Sequence, residues 1–276
     1  MAGRSSGLPG VRVMTGGKDG FKGRIFGPVP SRRLGLSLGL DAIPFKYCTY
    51  DCIYCQLGHT TVQTTRRSEF FSTDSIIEEL ERALESRGEP DYITFSGSGE
   101  PSLCSNLGEI ISRIKQTTDI PVAILTNGSL LWLPDVAEDM MGADLVLPTV
   151  SAGDESLFHF IHRPHADISF EKVSQGLRSF AAQFEGEIRV EVFLLGGINS
   201  IPADVAKIRD FCESIDPERI QLNTSTRPPS EDYAFPCKPE SLNKWKDLLG
   251  PKAEIITSSS KPNRGTKTDE LSGDIA

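Results

Sequence analysis

An α/β fold built from successive βα units is what this sequence predicts, and three observations lead there. Short, nearly continuous apolar runs rich in β-branched residues recur along the chain, and segments with a helical apolar period separate them. The length of 276 residues, with 38% hydrophobic and 24% charged residues, suffices for one substantial core. Strands apolar on both faces, alternating with amphipathic helices, imply a parallel sheet covered by helices. Six such units suit a partial or complete barrel, and in either arrangement ligands sit at the C-terminal ends of the strands.

The first 22 residues are polar and rich in Gly, Ser or Lys, as are the last 18 or so, 259–276. They read as tails around one domain spanning 23–258. A possible first strand lies around 37–44. The next strands are "YITFS" (92–96), "VAILT" (122–126), "LVLPTV" (145–150), "IRVEVFLL" (188–195), "RIQLNT" (219–224) and "AEIIT" (253–257). Between them, Ile76, Ile77, Leu80, Ala83 and Leu84 fall on one helical stripe behind the cap candidates Ser72 and Thr73. Leu107, Ile110, Ile111 and Ile114 form a second stripe. Val173, Leu177, Phe180, Ala181 and Phe184 form a third, and Val205, Ile208, Cys212 and Ile215 a fourth.

No apolar run approaches the roughly 20 residues that span a bilayer, and the N-terminus lacks the apolar core of a signal peptide. The cytoplasm is the expected location, with no membrane partner. Its reducing milieu keeps thiols free, so a tight cysteine cluster there points to a metal rather than a disulfide. A net charge of -9 offers no global attraction to nucleic acid.

The segment "KYCTYDCIYCQLG" (46–58) holds three of the six cysteines within eight positions. Cys48, Cys52 and Cys55 have the spacing C-x3-C-x2-C on a loop after the possible first strand, and thiolates so spaced can converge on one soft metal centre. A closed zinc site wants four ligands, and His59 is the only close candidate for a fourth. Three ligands on an iron-sulfur cluster leave one iron open to a substrate or cofactor, whereas an electron carrier ordinarily uses four. Three classes therefore share these cysteines: an enzyme working at the open iron, a non-catalytic iron-sulfur electron-transfer protein, and a zinc-dependent nucleic-acid binder.

The string "CTYDCIYC", with an aromatic residue directly before the last cysteine, resembles the C-x3-C-x-aromatic-C signature of the radical S-adenosylmethionine (SAM) superfamily. The longer stretch 27–58 is similar to the iron-sulfur oxidoreductases of that superfamily related to the wyosine-tRNA synthetases. The resemblance runs through about residue 240. It implies a partial (β/α)6 TIM-type barrel in which Cys48, Cys52 and Cys55 bind a 4Fe-4S cluster whose fourth iron is chelated by SAM. It further implies reductive cleavage of SAM to a 5'-deoxyadenosyl radical, hydrogen abstraction from a second substrate, and a one-electron reductant such as flavodoxin or ferredoxin as partner.

The resemblance also assigns cofactor-binding positions. Tyr54 would lie against the adenine. Gly97, Ser98, Gly99 and Glu100, in "ITFSGSGEP" (93–101), resemble the Gly-Gly-Glu motif that receives the methionine ammonium, with Ser-Gly-Glu here. Glycines let a backbone approach closely and a carboxylate pairs with an ammonium. Asn127 in "LTNGSL" would line the cavity floor, and Ser151 in "PTVSAGDE" would meet the SAM ribose or carboxylate. Glu191, Leu222 and Asn223 would lie near adenine and ribose, and Arg227 is a candidate anchor for an anionic substrate. No residue is assigned to catalysis on the second substrate.

His159, His162 and His165 are close in sequence, but Pro164 interrupts helical geometry, which argues against a metal site. Cys212 lies on an apolar stripe and reads as a small buried hydrophobe, and Cys104 and Cys237 lack a tight spacing for a second cluster. The pairs Arg32–Arg33 and Arg66–Arg67 flank the cysteine loop and are candidates for the cavity rim. A wyosine-type enzyme acting on tRNA would need a further cluster, yet residues 1–47 contain no cysteine. An acidic chain without an obvious RNA-binding module also leans away from tRNA, so another second substrate is expected.

Overall fold

The computed structural model describes residues 23–256; the tails expected at 1–22 and 259–276 lie outside the described residues. In chain order the elements begin with β1 (Ile25–Ser31), β2 (Gly35–Leu40), β3 (Tyr47–Cys48), β4 (Val62–Gln63), α1 (Thr73–Arg87), β5 (Tyr92–Phe95) and α2 (Leu107–Thr117). They continue with β6 (Val122–Thr126), α3 (Pro134–Met140), β7 (Leu145–Pro148), α4 (Glu155–His162) and α5 (Phe170–Ala181). The last are β8 (Glu187–Leu194), α6 (Pro202–Ile215), β9 (Arg219–Thr224), α7 (Pro239–Leu249) and β10 (Ala253–Ile255). Eight strands form one sheet in the order β1-β2-β5-β6-β7-β8-β9-β10. Every pair is parallel except the β1–β2 hairpin.

Six crossovers thus join seven parallel strands, each new strand laid beside the last. A sheet wound in one direction keeps its helices on one face, because each crossover has the same hand. The helices accordingly pack on one another in chain order around the outside, α1 on α2, α2 on α3, α5 on α6 and α6 on α7. The β1 and β10 edges are not hydrogen-bonded to each other, so the barrel is open on one side, as the predicted partial barrel requires.

Alternation along the strands separates two environments. Ile93, Phe95, Ile124, Val146, Val190, Val192, Ile220 and Leu222 point outward into the main apolar core beneath the helices. Leu125, Leu147, Thr149 and Glu191, one step along, face the concave side and line a cavity. At the opposite end of that concave face, Leu34 from the β1–β2 turn packs on Ala123 and Leu145 and closes the floor.

The predicted helical stripes are the buried faces. In α1, Ile76, Ile77, Leu80 and Ala83 are buried, the Ser72 hydroxyl accepts a hydrogen bond from Ser75 N (3.4 Å), and Gly88 ends the helix at φ +80°. In α6, Cys212 is fully buried with Val205, Ile208 and Ile215, and burial pushes its thiol up to about 12. No described helix is long and apolar enough to cross a membrane.

Candidate functional site

The cysteine loop leaves the C-terminal end of β2 and is fastened by its backbone. Lys46, held at φ +63°, donates its N–H to Ser98 O (2.8 Å), and β3 pairs with β4. Asp51 N donates to His162 O (3.0 Å) and Ile53 N to Ile161 O (2.9 Å), which docks the loop on the last turn of α4. The residues between the cysteines anchor it. Ile53 is fully buried against Ile161, Phe193 and Leu195, and Tyr50 packs edge-on against Phe158 at 5.6 Å. Tyr54 stacks on Phe193 with ring centroids 4.2 Å apart.

Cys48, Cys52 and Cys55 all reach one cavity of about 310 Å³ at the strand ends. A wider groove of about 500 Å³ lies between α3 and α5, against Trp132 and Gly176, and holds none of the three cysteines. Burial pushes the Cys48 thiol up to about 12, with the Glu100 carboxylate adding to the effect, and burial lifts Cys52 well above the usual thiol range. Without metal these two are thiols; a bound cation is what converts such groups to thiolates. Among the described residues no three His, Cys, Asp or Glu side chains converge as a single-ion site would demand. Three thiols spread around a cavity suit a larger sulfur-rich centre, and the donor set is soft throughout.

Two basic side chains stand beside these thiols. Lys46 is buried, its Nζ lies 3.3 Å from Cys55 Sγ, and it also donates to Gly58 O. His162 places Nδ1 3.2 Å from Cys52 Sγ, and burial among Tyr50, Tyr54 and Phe158 lowers its pKa to about 3. The imidazole is therefore neutral at ordinary pH. A histidine that titrates near 6.5 unfolded and near 3 folded contributes stability that is intact above the unfolded value and lost as pH falls toward the folded one. Acidifying the metal-free protein from about pH 7 to about pH 5 is expected to cost about 2 kcal/mol, and His162→Gln to abolish that slope in urea titrations. Equal slopes in the two proteins would contradict it.

Across the cavity, the loop after β5 presses on the cysteine loop. Glu100 N donates to Tyr47 O (3.1 Å), and a Cβ built on Gly99 would sit 2.1 Å from that same carbonyl oxygen. Only glycine permits this approach. Gly97, at φ +136°, faces the half-buried Asp41 carboxylate, which accepts from Ser98 N (3.0 Å). Gly99→Ala is expected to cost about 2–3 kcal/mol by forcing the two loops apart. An unchanged denaturation midpoint would refute this packing.

Glu100 itself is buried, and both carboxylate oxygens are engaged. Thr126 Oγ1 (2.5 Å) and Ser102 N (3.1 Å) donate to Oε1, and Asn127 N (2.8 Å) donates to Oε2. Burial raises its pKa against the pull of these donors. Asn127 completes the junction: its Nδ2 donates to Thr49 Oγ1 (2.8 Å), and Thr49 in turn bonds Ser129 (2.7 Å). Gly97, Ser98, Gly99, Glu100 and Asn127 all line the cavity with the three cysteines.

The far wall comes from the β7 end and β8, with Asn223 of β9 bonded behind it. Glu191 accepts from Thr149 Oγ1 (3.0 Å) and Asn223 Nδ2 (2.9 Å) and forms an ion pair with Arg33. Ser151 is buried behind this wall, its carbonyl bonded by Asn199 Nδ2 (2.8 Å), and Tyr54 lies against its side chain. The Leu222 side chain packs in the main core, on the other face of β9 from the cavity. Arg67 turns outward to Asp135 (2.7 Å) and Asp139 on α3. The clustered histidines diverge: His159 pairs with Glu155 (2.8 Å), His165 faces Asp167 (3.4 Å), and His162 turns to Cys52. Arg33 lines the cavity as the rim reading expected, His162 meets a cysteine although its histidine cluster was set aside, and Lys46 and Thr49 are site residues that sequence reading did not single out.

Known proteins resemble this chain in family and fold. The profile described as the radical SAM superfamily matches residues 42–234. The chain is 41% identical over 231 residues to a UPF0026 protein of Methanocaldococcus jannaschii, covering 82% of this chain and 72% of that one. It is 43% identical over 253 residues to a Brachyspira hyodysenteriae protein named GTPase Obg, covering 90% of this chain but spanning only 37% of that relative's length. Among solved structures, TYW1 with a bound lysine-pyruvate adduct shares the fold at a TM-score of 0.61 and 18% identity, over 77% of this chain and 72% of that one.

Proposed function

The chain belongs to the radical SAM superfamily, and from that premise we propose that Cys48, Cys52 and Cys55 hold a 4Fe-4S cluster beside a SAM molecule seated on the loop after β5. When bound, the pair supplies a 5'-deoxyadenosyl radical by one-electron cleavage of SAM, and this radical abstracts hydrogen from a second substrate. The observation that carries the reading is the sharing of one cavity by the three thiols, Gly97, Ser98, Gly99, Glu100 and Asn127.

The chain's own groups have separable tasks. The glycines bring backbone carbonyls to the cavity surface, and Glu100, anchored by three donors, keeps negative charge where an ammonium would sit. Tyr54, Ser151, Glu191 and Asn223 flank the nucleoside side, with Leu222 packed behind them. Ser151, Leu222 and Asn223 are buried, which helps to exclude water from a reactive centre. Flavodoxin or ferredoxin serves as the electron donor.

A wyosine-type condensation is disfavoured. Of the residues lining the cavity Lys46 is the only lysine, and its ammonium is committed to Cys55 Sγ and Gly58 O. A Schiff base demands a free amine. Anaerobically reconstituted protein given SAM and dithionite is expected to release methionine and 5'-deoxyadenosine in equal amounts. Electron transfer without SAM cleavage would instead make the protein a carrier.

A further inference from the structure

Each cysteine sulfur of the site has one side-chain nitrogen directed at it, and the three nitrogens come from separate parts of the chain. Asn127 Nδ2, after β6, lies 3.6 Å from Cys48 Sγ; His162 Nδ1, at the end of α4, lies 3.2 Å from Cys52 Sγ; Lys46 Nζ, just before β3, lies 3.3 Å from Cys55 Sγ. A sulfur that ligates iron carries no proton, so the proton of that last His162 contact then sits on Nδ1, and all three contacts are N–H···S bonds. Of the three donors only Lys46 is charged.

The backbone of Lys46 is clamped on both sides. Its N–H donates to Ser98 O (2.8 Å) in the loop after β5, and its carbonyl accepts from Thr61 N (3.1 Å) and Val62 N (3.2 Å). Lys46 is only 3% exposed, and among the described residues its ammonium meets Cys55 Sγ and Gly58 O and no carboxylate. A lysine ordinarily carries its head to water, and an ammonium buried without counter-charge is costly. The two carboxylates that line the cavity are engaged elsewhere, Glu191 by Arg33 and Glu100 by Ser102, Thr126 and Asn127. The negative charge that matches Lys46 is therefore that of the sulfur ligands.

One-electron reduction adds a negative charge and no proton to an iron-sulfur centre. A fixed cation at bonding distance from one ligand, in a site with little water to screen it, stabilises the reduced form more than the oxidised one. Neutral N–H donors act in the same direction through their dipoles, and more weakly.

We propose that Lys46 is a positioning residue that sets the reduction potential of the cluster, raising it through Cys55 so that a weaker electron donor can populate the reduced centre. His162 and Asn127 fasten the other two sulfurs without adding charge. The assignment rests on the reading of Cys48, Cys52 and Cys55 as cluster ligands.

Full-length protein, reconstituted anaerobically, is titrated with dithionite and redox mediators in the absence of SAM, and the reduced centre is read by electron paramagnetic resonance. Lys46→Met keeps the stem and loses the charge. It is expected to move the ratio of reduced to oxidised centre at a fixed potential about tenfold toward the oxidised form, about 59 mV for one electron. Lys46→Arg keeps the charge and recovers most of that shift, and His162→Phe, which removes a neutral donor, moves the ratio less than Lys46→Met does. Lys246→Met, exposed on α7, leaves it unchanged. Should Lys46→Met hold no iron, Lys46→Gln is the second uncharged variant, with a shift in the same direction. An unshifted potential in an iron-loaded uncharged variant, a potential in Lys46→Arg as low as in Lys46→Met, or loss of iron from both uncharged variants would overturn the proposal. Cleavage of SAM by the wild-type protein is scored separately. A Lys46-dependent potential without SAM cleavage leaves the tuning in place and removes the radical reading, whereas SAM cleavage with unshifted potentials removes the tuning alone.

Discussion

Cys52→Ala is expected to yield a folded, colourless protein that releases no 5'-deoxyadenosine above a no-enzyme control. Wild-type protein purified without oxygen is expected to carry about four irons per chain with matching sulfide, and the variant close to none, since two thiolates do not retain such a cluster. The fold survives because the apolar core beneath the helices is built without the cysteines' metal, and the loop is fastened by Asp51 N, Ile53 N and the buried Ile53 side chain. Truncating one half-buried thiol costs about 1 kcal/mol. Cys212→Ala, in the core of α6, is the control: it loses some stability and keeps its iron. One zinc per chain, no sulfide and an unaltered metal content in Cys52→Ala would remove the cluster from this protein.

Glu100→Ala has the second largest effect, and it strikes stability and cofactor binding together. The carboxylate accepts from Ser102 N, Thr126 Oγ1 and Asn127 N, so its removal strands two backbone donors and a hydroxyl in a buried junction. Each stranded donor costs about 1–3 kcal/mol, offset by relief of the desolvation that raises the Glu100 pKa. A net loss of about 3 kcal/mol, or about 10 °C in Tm, is expected. SAM is expected to perturb the spectrum of the reduced wild-type cluster and to leave that of the variant unchanged. Glu100→Gln keeps one acceptor oxygen but turns an NH2 toward a donor, and falls between the two. Full SAM response in Glu100→Ala would confine this residue to a structural part.

Which of these features the sequence announced depends on how local their cause is. The strands Val122–Thr126 and Arg219–Thr224 coincide with the apolar runs read from the sequence, and β7 stops at Pro148, two residues before its run ends. β1 escaped because "IFGPVPS" carries two prolines, which remove ladder donors. At a sheet edge one side of the strand needs no partner, and there prolines are tolerated. β3 and β4 are two residues each, too short to leave a pattern.

The thiols were legible for the same reason, since eight consecutive positions hold them all. Their neighbours were not. His162 meets Cys52 across 110 residues of chain, and Arg33 meets Glu191 across 158. No local spacing encodes such a pair, because each is made by the winding of the barrel. Glu100 sat in a recognisable strand-end motif, yet its bonds to Thr126 and Asn127 come from the neighbouring strand end. The outward turn of Arg67 was equally hidden, because its partners Asp135 and Asp139 lie one helix away.

The docking of the cysteine loop on the last turn of α4 bears on maintenance. In small zinc domains the metal is the fold, and losing it dissolves the binding site. Here the segment keeps its shape through Asp51, Ile53 and Lys46 amides donating to carbonyls of α4 and the loop after β5. A centre stripped by oxygen would leave behind a finished socket instead of an unfolded chain. Repair of a cluster held there would then amount to re-delivery of iron, sulfide and electrons to a standing scaffold rather than to refolding of the chain.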